Sequence, residues 1–95
     1  MQFGVLINFY YKNIMKVFVL HNAEMDSDGV LSINSYLYLT IEKAQEAQNI
    51  IIEKFINKNK DTESEKIYEE INWFKRVAYK NKLTEFQSCI KEFNI

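Results

Sequence analysis

The chain has 95 residues, 47 % of them apolar, and a formal net charge of −1. That suffices for one domain with a modest core, and the charge is too balanced to steer the whole molecule to nucleic acid or an anionic membrane. One cysteine excludes an internal disulfide and a cysteine zinc site, a reducing, cytoplasmic setting fits, and no apolar run approaches the ~18 residues of a membrane-spanning helix.

Residues 1–14 (MQFGVLINFYYKNI) lack the basic start and small-residue cleavage site of a signal peptide. Phe3, Val5, Ile7 and Phe9 alternate with Gln2, Gly4, Leu6 and Asn8, which suits an extra strand; the other reading is an N-terminal extension upstream of a start at Met15. Residues 15–95 then read as a single domain. Residues 16–20 (KVFVL) are β-branched and aromatic with no helix-period polar face, so a strand is expected. The acidic stretch 24–29 ends in Asp28-Gly29, a hairpin-turn pair, because both residues tolerate positive φ. In residues 30–39, Leu31, Ile33, Leu37 and Leu39 share one parity, and Ser32, Asn34, Tyr36 and Tyr38 the other. The pattern predicts a half-buried strand with its tyrosines, Tyr36 and Tyr38, on the outer face. Thr40 is placed to cap a helix, Glu42 suits its first turn, and Ile41, Ala44, Ala47 or Gln48, Ile51 and Phe55 recur at helical spacing.

The polar stretch 57–61 ends that helix. Thr62 and Glu65 have the spacing of a capping box, and Ile67, Ile71, Phe74 and Ala78 follow at steps of four, three and four, which predicts a second helix flanked by Tyr68, Trp73 and Val77. Residues 83–95 stay open on their own terms: Leu83, Phe86, Ile90 and Phe93 have helical spacing, yet the composition favours a strand.

The run Lys16-Val17-Phe18-Val19-Leu20-His21, the acidic turn, and Tyr38-Leu39-Thr40-Ile41-Glu42-Lys43-Ala44-Gln45-Glu46-Ala47 together resemble small uncharacterised hairpin-plus-helix proteins of bacteria and their phages. The resemblance covers most of residues 15–95 and rests on packing patterns. It implies a closing strand over 86–93 and no particular activity. The expected product is an α+β domain: a small antiparallel sheet of three or four strands with two α-helices packed on one face.

Little chemistry converges. Asp26-Ser27-Asp28-Gly29 resembles positions three to six of an EF-hand loop, but Ser35 stands where the bidentate carboxylate belongs, and the flanks are strands. His21 lies near Asp26 and Asp28, an arrangement that serves acid–base work only if other groups converge on it, and none does. Cys89 has no adjacent base or glycine-rich loop and reads as a structural thiol. No phosphate loop, dinucleotide fingerprint or metal-ligand pair is present, so no catalytic residue, metal or cofactor is expected.

Two surfaces remain. Residues 61–70 are acidic and residues 73–82 carry Lys75, Arg76, Lys80 and Lys82, a polarity that complements the dipole of the expected second helix. Interleaved with Trp73 and Tyr79, these cations make a candidate binding strip, with Arg76 and Lys80 sharing one side, and the Tyr36/Tyr38 strand face is the other candidate. The leading expectation is a small non-enzymatic interaction protein that binds and inhibits a larger protein or ribonucleoprotein partner. Short, proline-free, Asn/Ile/Lys-rich chains of this kind resemble phage and mobile-element anti-defence proteins, anti-CRISPR inhibitors among them. The alternative is an RNA-binding module using the basic-aromatic segment.

Overall fold

A computed structural model describes residues 15–95; the alternating segment read in residues 1–14 lies outside them. The described chain runs β1 (Lys16–Met25), β2 (Leu31–Tyr38), α1 (Ile41–Lys58), β3 (Lys66–Ile71), β4 (Phe74–Tyr79) and β5 (Glu85–Asn94). All five strands join one antiparallel sheet in the order β2-β1-β5-β4-β3. This corrects the expectation of two helices on three or four strands.

The first half forms as its residues dictate. Asp26 closes the β1–β2 turn by accepting from the N–H groups of Asp28 and Val30, each at 2.9 Å, and Gly29 takes the left-handed φ of +81° that the turn requires. Thr40 Oγ1 accepts from the N–H of Lys43 at 3.2 Å and starts α1. At the other end the N–H of Asn59 donates to Phe55 and Ile56 carbonyls, and its side-chain amide donates again to Phe55.

The expected second helix is instead the β3–β4 hairpin. Its apolar stripe survives, in another geometry: Ile67 pairs with Ala78 and Ile71 with Phe74 across the two strands. Steps of four keep one parity in a strand as they keep one face in a helix, and the step of three spans the two-residue turn, where parity inverts. Asn72 makes that turn possible with φ +55°, and Asn81 does the same with φ +63° between β4 and β5. Thr62 and Glu65 cap nothing; the adjacent Ser64 hydroxyl donates to the Lys80 carbonyl at 2.7 Å, tying the approach to β3 onto the end of β4.

β5 settles the open reading of residues 83–95 as a strand, and a central one, paired along its length with β1 and also with β4. The helix lies on one face of the sheet with Ala44, Gln48, Ile52 and Phe55 buried beneath it. Phe55 meets Val77, Tyr79 and Phe86 toward one end, and Ala44 meets Phe18, Leu20 and Ile90 toward the other. Between the two apolar clusters, buried Gln48 donates to Ser88 Oγ and to the Trp73 carbonyl, both at 3.0 Å.

Candidate interaction surface

Strand alternation divides the sheet into a helix face and an opposite face on which the described residues place no helix. The pairings Phe18↔Tyr38 and Leu20↔Tyr36 put both tyrosines on the helix side. Tyr38 packs half-buried against the Phe18 cluster, while Tyr36 stays exposed beyond the helix. The expectation for β2 is therefore inverted: its tyrosines point toward the helix layer, and its aliphatic row points away. Leu31, Ile33, Leu37 and Leu39 are 53 %, 68 %, 63 % and 63 % exposed.

The row does not stand alone. On the same face, the strand registers place Met25 beside Leu31, Ala23 beside Ile33 and Val19 beside Leu37. Farther across, Ser35, His21, Cys89, Phe74 and Ile71 form one row running over all five strands. Ile71 is 68 % exposed, and Phe74 is half-buried. The open face is thus largely aliphatic over β2 and β1, with a second apolar group at the β3–β4 turn. A contiguous apolar patch of this kind is uncommon on a solitary domain, whereas scattered exposed apolar residues are ordinary.

The cationic strip expected on a helix is dispersed by the hairpin. Trp73 sits in the turn, half-buried, its ring edge-on to Phe18 at 6.0 Å between centroids. Tyr79 is core and buried, its ring tilted against that of Phe55 at 6.1 Å between centroids, and burial raises its phenol pKa. Lys75 lies on the helix side, donating to Asn49 Oδ1 at 2.7 Å, with Glu70 at 3.8 Å. Arg76 lies on the open face between Glu69 at 2.9 Å and Glu85 at 2.8 Å. Lys80 and Lys82 are exposed around the β4–β5 turn, Lys82 lining a polar cleft with Glu24, Lys58 and Thr62. Arg76 and Lys80 thus share no helical side. The acidic and basic runs neutralise each other across the hairpin, Glu70 opposite Lys75 and Glu69 opposite Arg76.

The Arg76 cluster makes a pH prediction. Hydrogen bonds from Arg76 and then Gln87 hold the Glu85 carboxyl below its ordinary value, and Glu85 and Glu69 raise that of Arg76. A carboxylate with a depressed folded pKa contributes stability that is present above its unfolded value and lost as pH falls through the folded one. Melting temperature is expected to drop as pH falls below about 4.5. Arg76→Met should remove that part of the dependence, worth about 1 kcal/mol for partly exposed groups. An identical acid profile in the variant would show that Glu85 draws nothing from Arg76. The cluster also means that Arg76→Glu is no neutral surface change, since it sets a third carboxylate beside two.

The catalytic candidates find no convergence. His21 Nδ1 is 2.9 Å from Ser35 Oγ, not joined to the acidic turn, whose Asp26 carboxylate is engaged by backbone N–H groups. Cys89 is a free, half-buried thiol directly across from His21 in the sheet register. Among the described residues no group of three His, Cys, Asp or Glu side chains is placed to hold a metal, and no helix is long and apolar enough to cross a membrane. No family model, curated protein or solved structure matches the chain.

Proposed function

We propose that the chain is a small non-enzymatic interaction protein whose contact surface is the open face of its sheet. The observation that carries this reading is the aliphatic row of β2, exposed as a unit beside Val19, Ala23 and Met25. Burying apolar area is the main favourable term in association, about 25 cal/mol per Å², and this face offers it as a continuous surface on a rigid sheet. Inhibition of a larger partner by occlusion, the anti-defence role implied by the resemblance, needs area and no reacting group, and suits such a surface. The RNA-binding alternative draws less support from the cations, because Lys75 and Arg76 are spent on acids of the same hairpin and only Lys80 and Lys82 of that strip stand exposed at the β4–β5 turn.

The test is the double variant Ile33→Asp with Leu37→Asp. Both side chains are already exposed, so melting should change by less than ~1 kcal/mol equivalent. In dilute solution the native chain should enhance the fluorescence of an apolar dye, and the variant should lose most of that signal. Equal dye uptake by the two proteins would defeat the open-face reading.

A further inference from the structure

The sheet has two edges, β2 and β3, and the turn bonds fix which backbone groups face outward from them. The N–H of Asp26 donates to the Val30 carbonyl at 3.0 Å, so these two residues form a hydrogen-bonded pair. Such pairs recur at every second residue of an antiparallel ladder. The even residues of β2 therefore bond to β1, while Leu31, Ile33, Ser35 and Leu37 turn their N–H and C=O groups outward past the edge. The same alternation, carried across the sheet, accounts for the bonds from Ile95 to Met15, Ile90 to Trp73 and Lys80 to Glu65. Among the described residues nothing pairs with the outer row of β2.

The two edges are finished differently. β3 carries Lys66, Glu69 and Glu70 within six residues, and charge on an edge discourages a further strand. β2 has eight residues in unbroken register with β1, so no bulge twists it away, and residues 29–41 hold neither a charged residue nor a proline. All of β2 except Tyr38 is exposed. We propose that this edge is a strand-addition site, and that its occupant is an extended, uncharged segment of the larger partner, laid beside β2 as a sixth strand. This rests on the interaction-protein reading and adds to it the chemistry of the partner.

Backbone geometry selects the occupant, because only another extended chain offers donors and acceptors repeating every ~7 Å along a line. Side chains narrow the choice. Residues of the incoming strand opposite Leu31, Ile33 and Leu37 lie beside that aliphatic row, where apolar ones continue it. Those opposite Ser32, Asn34 and Tyr36 lie on the helix side among hydroxyl and amide groups, where threonine, serine or tyrosine fits. A charge of either sign finds no counter-ion along β2. A second copy of this chain would match the same edge, but one strand pair alone falls short of the ~1,200 Å² of a stable interface. A larger protein that lends a strand can add the neighbouring open face to that area.

The experiment reads hydrogen exchange residue by residue in the full chain, with a synthetic peptide of alternating valine and threonine carrying a lysine pair at each end. In the chain alone the amides of Leu31, Ile33, Ser35 and Leu37 should exchange fast, and those of Ser32, Asn34 and Tyr36, bonded to β1, slowly. With about 1 mM peptide the odd amides should slow at least tenfold, as a Kd of roughly 100 μM or below implies, and the even ones should change little. Ile33→Pro removes one outward N–H and no bond to β1, so it should keep the native circular dichroism spectrum and abolish the slowing at Ser35 and Leu37. If that variant fails to fold, the contrast between odd and even amides in the native chain decides alone. Odd amides that the peptide leaves unchanged overturn strand addition, and so does slowing that persists in a folded Ile33→Pro chain; dye enhancement in the same protein would leave the open-face reading standing. Odd amides already slow in the chain alone overturn the partner strand, and loss of that protection on dilution assigns the edge to a second copy. Slowed odd amides in a chain that takes up no apolar dye keep the edge site and defeat the open face.

Discussion

Phe86→Ala is expected to cost ~3–5 kcal/mol, a large share of the roughly 5–15 kcal/mol that holds a domain of this kind together. Phe86 is 2 % exposed on the central strand β5. Its ring lies 5.4 Å from that of Phe55 on the helix, and its register partner on β4 is Val77, which is fully buried. Truncation therefore opens a void where helix, central strand and hairpin meet, and neighbours fixed in a sheet cannot collapse into it. Phe74→Ala is the informative contrast. A second helix would make Phe74 a core residue of equal weight, but in the hairpin it lies half-buried on the open face. Thermal melting should rank Phe86→Ala far below Phe74→Ala in stability, and the reverse order would contradict the β3–β4 hairpin.

How much of the fold is legible in the sequence follows from which patterns are unique to one geometry. The β1–β2 turn and α1 are readable because Asp-Gly, and a Thr cap followed by a long 3.6-residue stripe, each fit one local geometry far better than any other. The stripe through Ile67, Ile71, Phe74 and Ala78 fits two, since even steps suit strand and helix alike. The tie is broken by features beyond periodicity. Tyr68, Trp73, Val77 and Tyr79 favour strands. The order of acids then bases, mirrored about Asn72-Trp73, is what an antiparallel hairpin uses to pair Glu70 with Lys75 and Glu69 with Arg76. Asn72 and Asn81 take the positive-φ positions that glycine usually marks, so these turns carry no glycine punctuation. The β2 parity misleads for a different reason. Alternation reports that one side of a strand is apolar, and burial of that side is an inference that holds only when the apolar side meets the rest of the same chain. The candidate surface is thus present in the pattern of Leu31, Ile33 and Leu37, but in sequence it has the same signature as core.

Gln48→Glu should destabilise the fold by at least ~3 kcal/mol at neutral pH, although it changes one group for another of nearly equal size. The side chain is 1 % exposed between the two apolar clusters, and its Nε2 is the donor for both Ser88 Oγ and the Trp73 carbonyl. A carboxylate can accept from the Ser88 hydroxyl, but it has no hydrogen for the Trp73 carbonyl and would bring a charge against that oxygen in a site closed to water. The neighbourhood offers no remedy: Asn22, the register partner of Ser88, already holds a buried Oδ1 without a partner. Burial and the facing Trp73 carbonyl oxygen would raise the introduced acid's folded pKa above its unfolded value. For a raised acid, the loss is greatest above the folded pKa and shrinks as pH falls toward the unfolded one. The gap in melting temperature between variant and native chain is therefore expected to narrow between neutral pH and about pH 5, as the protonated acid regains one donor. Gln48→Met separates packing from polarity: it fills the volume, leaves the Trp73 carbonyl its remaining bond from the Ile90 N–H, and should cost about 1–2 kcal/mol with no pH dependence of its own. A Gln48→Glu protein that melts like the native chain at pH 7 would mean that the helix does not seat Gln48 over Ser88, and with it the placement of α1 on the sheet would fail.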